Sequence, residues 1–432
     1  MRIPAAQVGR TLPCWTRSNF TSWTRSSENG LQAFQRHKCW TWSNFMYWTR
    51  SNYSISGPER YFSLGYPLFL YICTMMKKYF YGGLLSLVAG TLFSLGLHAQ
   101  EIRIQVEDNE IITTVADTTL VVEILQRIAG EVRRATDVKA PDVQAGDVKA
   151  GDVKAGDVKA GEVTPGNVSP GKANDGEATA RAALVAARAL LDQPYVASTL
   201  EGGDHEQPRI YLTRTDCILF VEACHCLAHT ALTVSHPSFS DYARNVVRRR
   251  YREPVVRNYS DRIHYTTEWV RRAEADGWVH DITLDLGGSV WEHPIGYMSH
   301  NASKYEHLKN AASDPVQRHD LAVIARVEND LNARPHTYIP REQVAAAAEG
   351  IRSGDIICYC SGVEGLDIAH VAMAWVTDPE GNLVFGDAPA GSRIGFVHAS
   401  MAGMKVMVDP KTIADYVAGR KGLSGIKVVR PY

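Results

Sequence analysis

The sequence predicts an α+β protein, its helices gathered first and its short strands after them. Helical spacing of apolar residues gathers before residue 350, notably in RAALVAARALL and in CILFVEA from Cys217. Beyond it come short β-rich runs, GDIICYC, HVAMAWV, NLVFG, GFVHAS, KVMVD and IKVVRP, punctuated by Gly, Pro and Asp turns. Helices followed by strands, rather than alternating with them, are the α+β order of elements.

The 432 residues could hold two or three domains, and 46 basic against 47 acidic side chains leave the chain close to neutral. Residues 1–74 repeat WTRSNF, WTRS, WSNF and WTRSNY from Trp15, Trp23, Trp42 and Trp48 with no apolar period that could build a core. This leader is expected to be either untranslated or disordered, with Met75 or Met76 as the working start. Residues 75–99 then read as a secretory signal. MMKKYFYGG is its basic front, LLSLVAGTLFSLGL an apolar centre too short to favour spanning, and Leu97-His98-Ala99 a small-residue exit. Cleavage near Ala99 implies a periplasmic or secreted mature chain with no stable membrane span.

Residues 100–135 form a short strand and helix segment, the helix expected around Thr118–Arg133 with Leu120, Ile124, Leu125 and Ile128 on one face. Residues 136–177 hold seven pentapeptides, DVKAP, DVQAG, DVKAG three times, EVTPG and NVSPG. One valine in five residues is too little apolar surface for a solenoid, so a flexible disordered linker is expected. Residues 178–432 make one larger domain that carries the candidate chemistry.

Asp216 and Cys217 open an apolar helix, so either Thr215 or Asp216 caps it and Cys217 sits in its first turn. The helix dipole there favours thiolate. A cysteine nucleophile needs an imidazole to take its proton and a polar group to orient that imidazole. His370 lies in a strand-like run on the face of Ala372 and Ala374, small residues that leave room for an approaching group, and His398 ends another such run before Ala399 and Ser400.

With QPYVASTLE from Gln193, TDCILFVE, RRRYREPVVRNYSDRIHYTTEW, MSHNASKYEHL, IRSGDIICY, GLDIAHVAMAW, VHAS and SGIKVVRPY in order, the chain from about Ala178 to Tyr432 resembles the NlpC-type bacterial cell-wall cysteine peptidases. Within them it is similar to the N-acetylmuramoyl-L-alanine amidase-like branch. The resemblance implies a papain-like α+β core, the nucleophile helix packed on a small antiparallel sheet, with Cys217 as nucleophile, His370 as general base, His398 as the residue that fixes its tautomer, and Tyr195 near the thiol to position substrate or polarise the carbonyl oxygen. It also implies a hydrolase acting on muropeptides through a thioester, at the amide between N-acetylmuramic acid and L-alanine. The alternatives are the D-glutamyl-meso-diaminopimelate peptide cut, and a non-catalytic muropeptide binder. TDPEGNLVFGDAPAGSRIGF is long for the family, so Asp387 is a second candidate for the orienting group.

Tyr259, Arg262, His264, Tyr265 and Trp269 crowd aromatic and hydrogen-bonding groups into a stretch expected to form a sugar-binding wall, with Arg248 to Arg250 as a solvated stripe. Near-zero net charge and the lack of spaced aromatic platforms argue against nucleic acid. The pairs Cys224/Cys226 and Cys358/Cys360 have no clear partner set for zinc, so neither a metal nor a cofactor is expected, and their redox state is left open. The protein is expected to be a monomer.

Overall fold

A computed structural model describes residues 100–137 and 175–432. The expected leader and signal segment lie outside the described residues, as do residues 138–174 of the expected linker.

Strands β1 (Glu101–Val106) and β2 (Asn109–Thr114) form an antiparallel hairpin. Its turn places Glu107 at φ 52°, the left-handed region that few non-glycine residues adopt. Helix α1 (Val115–Asp137) follows at once and runs past both ends of the expected helix. Its buried stripe of Val121, Ile124, Leu125 and Ile128 joins the main core. Asp117, in the first turn of α1, is fully buried, and one of its oxygens accepts the N–H groups of Leu212 and Thr213, each at 2.7 Å. The N-terminal segment thereby fixes the strand-like chain that leads into Cys217.

Helix α2 (Asp175–Ala189) presents Ala182, Ala183, Ala186 and Ala187, all buried, and such small side chains let helix α3 (Cys217–Thr233) come close. α3 is apolar around most of its girth, as a helix sunk in a core must be. Helix α4 (Phe239–Arg250) starts with a Ser238/Asp241 capping box. Arg249 and Arg250 are buried, contrary to the expected solvated stripe, because Arg249 pairs with Asp276 and Arg250 donates 2.9 Å to Glu222 on α3. Only Arg248 of the three is well exposed. Helix α5 (Thr266–Ala275) packs beside α4.

Strands β3 (Val279–Asp281) and β4 (Ser289–Trp291), helix α6 (Pro315–Asn332) and strand β5 (His336–Pro340) lead to the sheet proper. It adds β6 (Ile356–Ser361), β7 (Ile368–Thr377), β8 (Arg393–Ser400), β9 (Lys405–Val408), helix α7 (Ile413–Ala418) and β10 (Leu423–Pro431). The order is β4-β5-β10-β6-β7-β8-β9, with β3 also on β10, and every pairing is antiparallel. The mixture of helices and antiparallel sheet is the α+β class expected. NLVFG makes no strand; only Leu383 bridges back to Thr377.

Alternation divides the sheet's side chains between two cores. Cys358, Val371, Met373, Val397 and Ala399 meet the helices, whereas Tyr359, Ala372, Ala374 and Phe396 join Tyr416 and Val417 of α7. The room expected beside His370 at Ala372 and Ala374 is therefore filled by aromatic rings.

Candidate active site

Asp216 caps α3 by accepting the Leu219 N–H at 3.0 Å, which places Cys217 at the first helical position. Cys217 is a free, partly buried thiol. Burial and the adjacent Asp216 carboxylate push it up to about 11, against the backbone N–H groups of Val371, Ile218 and Cys217 itself, which pull the other way. Desolvation and one nearby carboxylate oppose the helix start and favour the thiol over the thiolate at Cys217.

The contact with Val371 ties the sulfur to the residue after His370 on β7. The His370 Nε2 stands 2.6 Å from the His398 Nδ1 on β8, with the two rings at 82°. Pairing of Met373 with Val397 makes the two histidines diagonal neighbours on one sheet face. Tyr359 flanks His370 at 5.6 Å between ring centroids, Tyr416 touches both imidazoles at 6.0 Å, and Phe396 meets His398 edge-on at 4.9 Å. Burial, helped by His398 and Arg420, lowers His370 to about 3, and burial with Arg420 lowers His398 to about 4 despite Asp409. Both rings are neutral at pH 7.

Tyr195 is fastened to the same place. Its N–H donates to the Met404 carbonyl at 3.0 Å, and on either side the Thr215 N–H donates to the Pro194 carbonyl at 3.1 Å and the Val196 N–H to the Thr215 carbonyl at 2.9 Å. Burial and the proximity of Cys217 and Asp216 raise its phenol, which keeps the hydroxyl a hydrogen-bond donor. The structure thus pairs His370 with His398, sets the Cys217 sulfur at the Val371 N–H of the neighbouring strand position, and brings Tyr195 close to Cys217. Asp387 is elsewhere: its side chain is 88 % exposed and pairs with Arg352 at 2.6 Å.

A residue that sequence reasoning missed completes the row. Asp409 follows β9, its N–H bonds the Phe396 carbonyl at 3.0 Å, and its Oδ2 lies 3.2 Å from the His398 Nε2, off the ideal hydrogen-bond axis. KVMVDP alone does not give this placement; the β8–β9 hairpin, in register Val397 to Val408, sets Asp409 opposite Phe396, on the face of His398.

The expected sugar wall takes a different form. Tyr259, Arg262, Tyr265 and Trp269 are buried and present no open aromatic face, while His264 is held by the Tyr259 carbonyl at 3.0 Å. The Tyr265 hydroxyl bonds Glu328 at 2.6 Å, and Arg262 reaches Glu201 at 2.5 Å and the ring of Tyr259 at 4.8 Å. Aromatic and basic residues here tie loops to helices. Arg262, His264, Tyr265 and Trp269 nevertheless border a recess of about 90 Å³ with Ile218 and Leu219, the two residues next to Cys217 on α3. Tyr259 stacks on His307 just outside it. A larger recess, about 820 Å³, lies between α1, α2 and the β7–β8 connection and holds none of these groups.

The fold is α+β, with a thiol at a capped helix start set against β7 and an imidazole pair bridging β7 and β8. Residues 185–425 match the family described as AmiA-like, N-acetylmuramoyl-L-alanine amidase-like, and the chain belongs to it. Among solved structures, it is 27 % identical to an N-acetylmuramoyl-L-alanine amidase from Bacteroides uniformis, over 59 % of this chain and 99 % of that one, with a TM-score of 0.50. A Bacteroides fragilis protein named as a candidate xylanase is 28 % identical over 57 % of this chain and 99 % of its own, at a TM-score of 0.48. The curated proteins give no match. Among the described residues no helix is long and apolar enough to cross a membrane.

Proposed function

We propose that the protein is a peptidoglycan amidase that uses Cys217 to hydrolyse the N-acetylmuramoyl-L-alanine amide of muropeptides, with the papain-like arrangement of the NlpC-type enzymes. The observation that carries this reading is the Cys217–Val371 contact beside the 2.6 Å His370–His398 pair. The family match and the Bacteroides uniformis amidase support the choice of bond.

In this mechanism His370 takes the Cys217 proton as the sulfur attacks the amide carbonyl. The oxyanion forms beside the N–H groups of the first α3 turn and the Tyr195 hydroxyl. His370 then returns the proton to the leaving amine, which frees the L-alanyl peptide and leaves a lactyl thioester. A water deprotonated by His370 attacks the thioester and regenerates the thiol. Arg262, His264, Tyr265 and Trp269 shape the recess beside Cys217, with Tyr259 buttressing it.

Incubating the protein with a purified anhydro-disaccharide tripeptide tests this. Masses of a free anhydro-disaccharide and an intact tripeptide are expected, lost in Cys217→Ala. Fragments cut after D-glutamate would assign the peptide bond instead, and no cleavage by the wild type with retained binding would make the protein a binder. The same reading places the protein in the periplasm or outside the cell, as a monomer; N-terminal sequencing at Gln100 and sedimentation test those two points.

A further inference from the structure

His398 is 1 % exposed, so its two ring nitrogens have few partners. Its Nδ1 faces the His370 Nε2 at 2.6 Å, and its Nε2, shielded from solvent, faces the Asp409 carboxylate at 3.2 Å. Asp409 is itself fixed: its Oδ1 accepts the Lys411 N–H at 2.8 Å, and Arg393 holds its backbone carbonyl at 2.7 Å. A neutral imidazole carries one proton. On Nε2 that proton meets a carboxylate; on Nδ1 it would leave a lone pair pointing at one.

We propose that Asp409 sets the tautomer of both imidazoles, holding the proton of His398 on Nε2 so that Nδ1 must accept from the Nε2–H of His370. Only one nitrogen of neutral His370 then keeps a lone pair, Nδ1, and that is the atom left to take the Cys217 proton. Asp409 is a positioning residue that acts through two rings. When His370 becomes an imidazolium, the carboxylate stabilises the positive charge through His398. The inference rests on Cys217 as the nucleophile for its catalytic half, while the proton positions stand without it.

The test is long-range ¹⁵N–¹H NMR of histidine-labelled protein, with the two rings assigned from His370→Gln and His398→Gln. Both residues are expected in the Nε2–H form. In Asp409→Asn the amide can donate to the His398 Nε2, which drives that proton to Nδ1 and the His370 proton to Nδ1 as well. kcat on the muropeptide amide then falls by about 10- to 100-fold with KM within two-fold, and Asp409→Glu restores part of it. A His370 proton on Nδ1 in the wild type overturns the proposal, with no variant needed. So does an Asp409→Asn protein that keeps both Nε2–H forms, or one that switches them with kcat unchanged. The spectra need no substrate, so absence of amidase activity would sink the functional reading without touching the assignment of protons.

Discussion

Alkylation of Cys217 by iodoacetamide reads the resting state directly. Burial raises the Cys217 thiol to about 11 and lowers His370 to about 3, so both shifts oppose moving the proton from sulfur to imidazole. At pH 8 an unperturbed cysteine is about one-tenth thiolate and Cys217 about one-thousandth, a 100-fold deficit. Each thiolate of higher pKa is roughly 10-fold more nucleophilic. The net expectation is alkylation about 10-fold slower than a model thiol at pH 8, rising about tenfold per pH unit through pH 9 to 10. Quantifying the Cys217-bearing peptide by mass spectrometry separates it from the other thiols. A plateau between pH 6 and 8, at or above the model thiol's rate, would mean a resting thiolate–imidazolium pair and refute the burial argument.

Asp216→Asn keeps a good helix cap but removes the charge that helps raise the thiol, so alkylation at pH 8 should accelerate while α3 stays intact by circular dichroism. Asp117→Ala strands the N–H groups of Leu212 and Thr213 in the core and should cost about 2–4 kcal/mol in urea unfolding; a loss under 1 kcal/mol would show that the segment is held by other contacts. Burial lowers His225 to about 4, and its Nε2 has no partner. The unfolded chain therefore binds a proton near pH 6.5 that the fold refuses until about pH 4. Stability is full above pH 6.5 and falls through that window, by about 2–3 kcal/mol at pH 4.5 from this residue alone. His225→Leu should remove that share of the acid sensitivity, and an unchanged urea midpoint difference between pH 7.5 and 4.5 would exclude it.

The elements of the site were legible where one local signal sufficed. An Asp before an apolar run announces a helix start, and alternation around His370 and His398 announces strands. What stayed hidden depends on register and on which face of a helix turns inward. Nothing local joins His398 to Asp409; the β8–β9 pairing does. The run Arg248 to Arg250 reads as solvated until α4 is docked, when Glu222 on α3 receives Arg250 in the interior. Tyr265 and Trp269 have the composition of a sugar-binding wall and of a core seam alike. Contacts with Glu328 and the helical core, formed from residues distant in sequence, decide for the seam.

The same burial that holds back the sulfur also suits it to an amide substrate. Desolvation disfavours thiolate and imidazolium alike, which favours the neutral thiol and neutral ring. In the proposed reaction, a carbonyl seated beside the α3 start changes the balance, because negative charge need not rest on sulfur. It passes to an oxygen facing the first-turn N–H groups, with the Tyr195 hydroxyl as the proposed second donor. The positive charge on His370 meanwhile feels Asp409 through His398. In the proposed reaction, proton transfer and attack are therefore expected to proceed as one coupled event, with no free thiolate–imidazolium pair formed first.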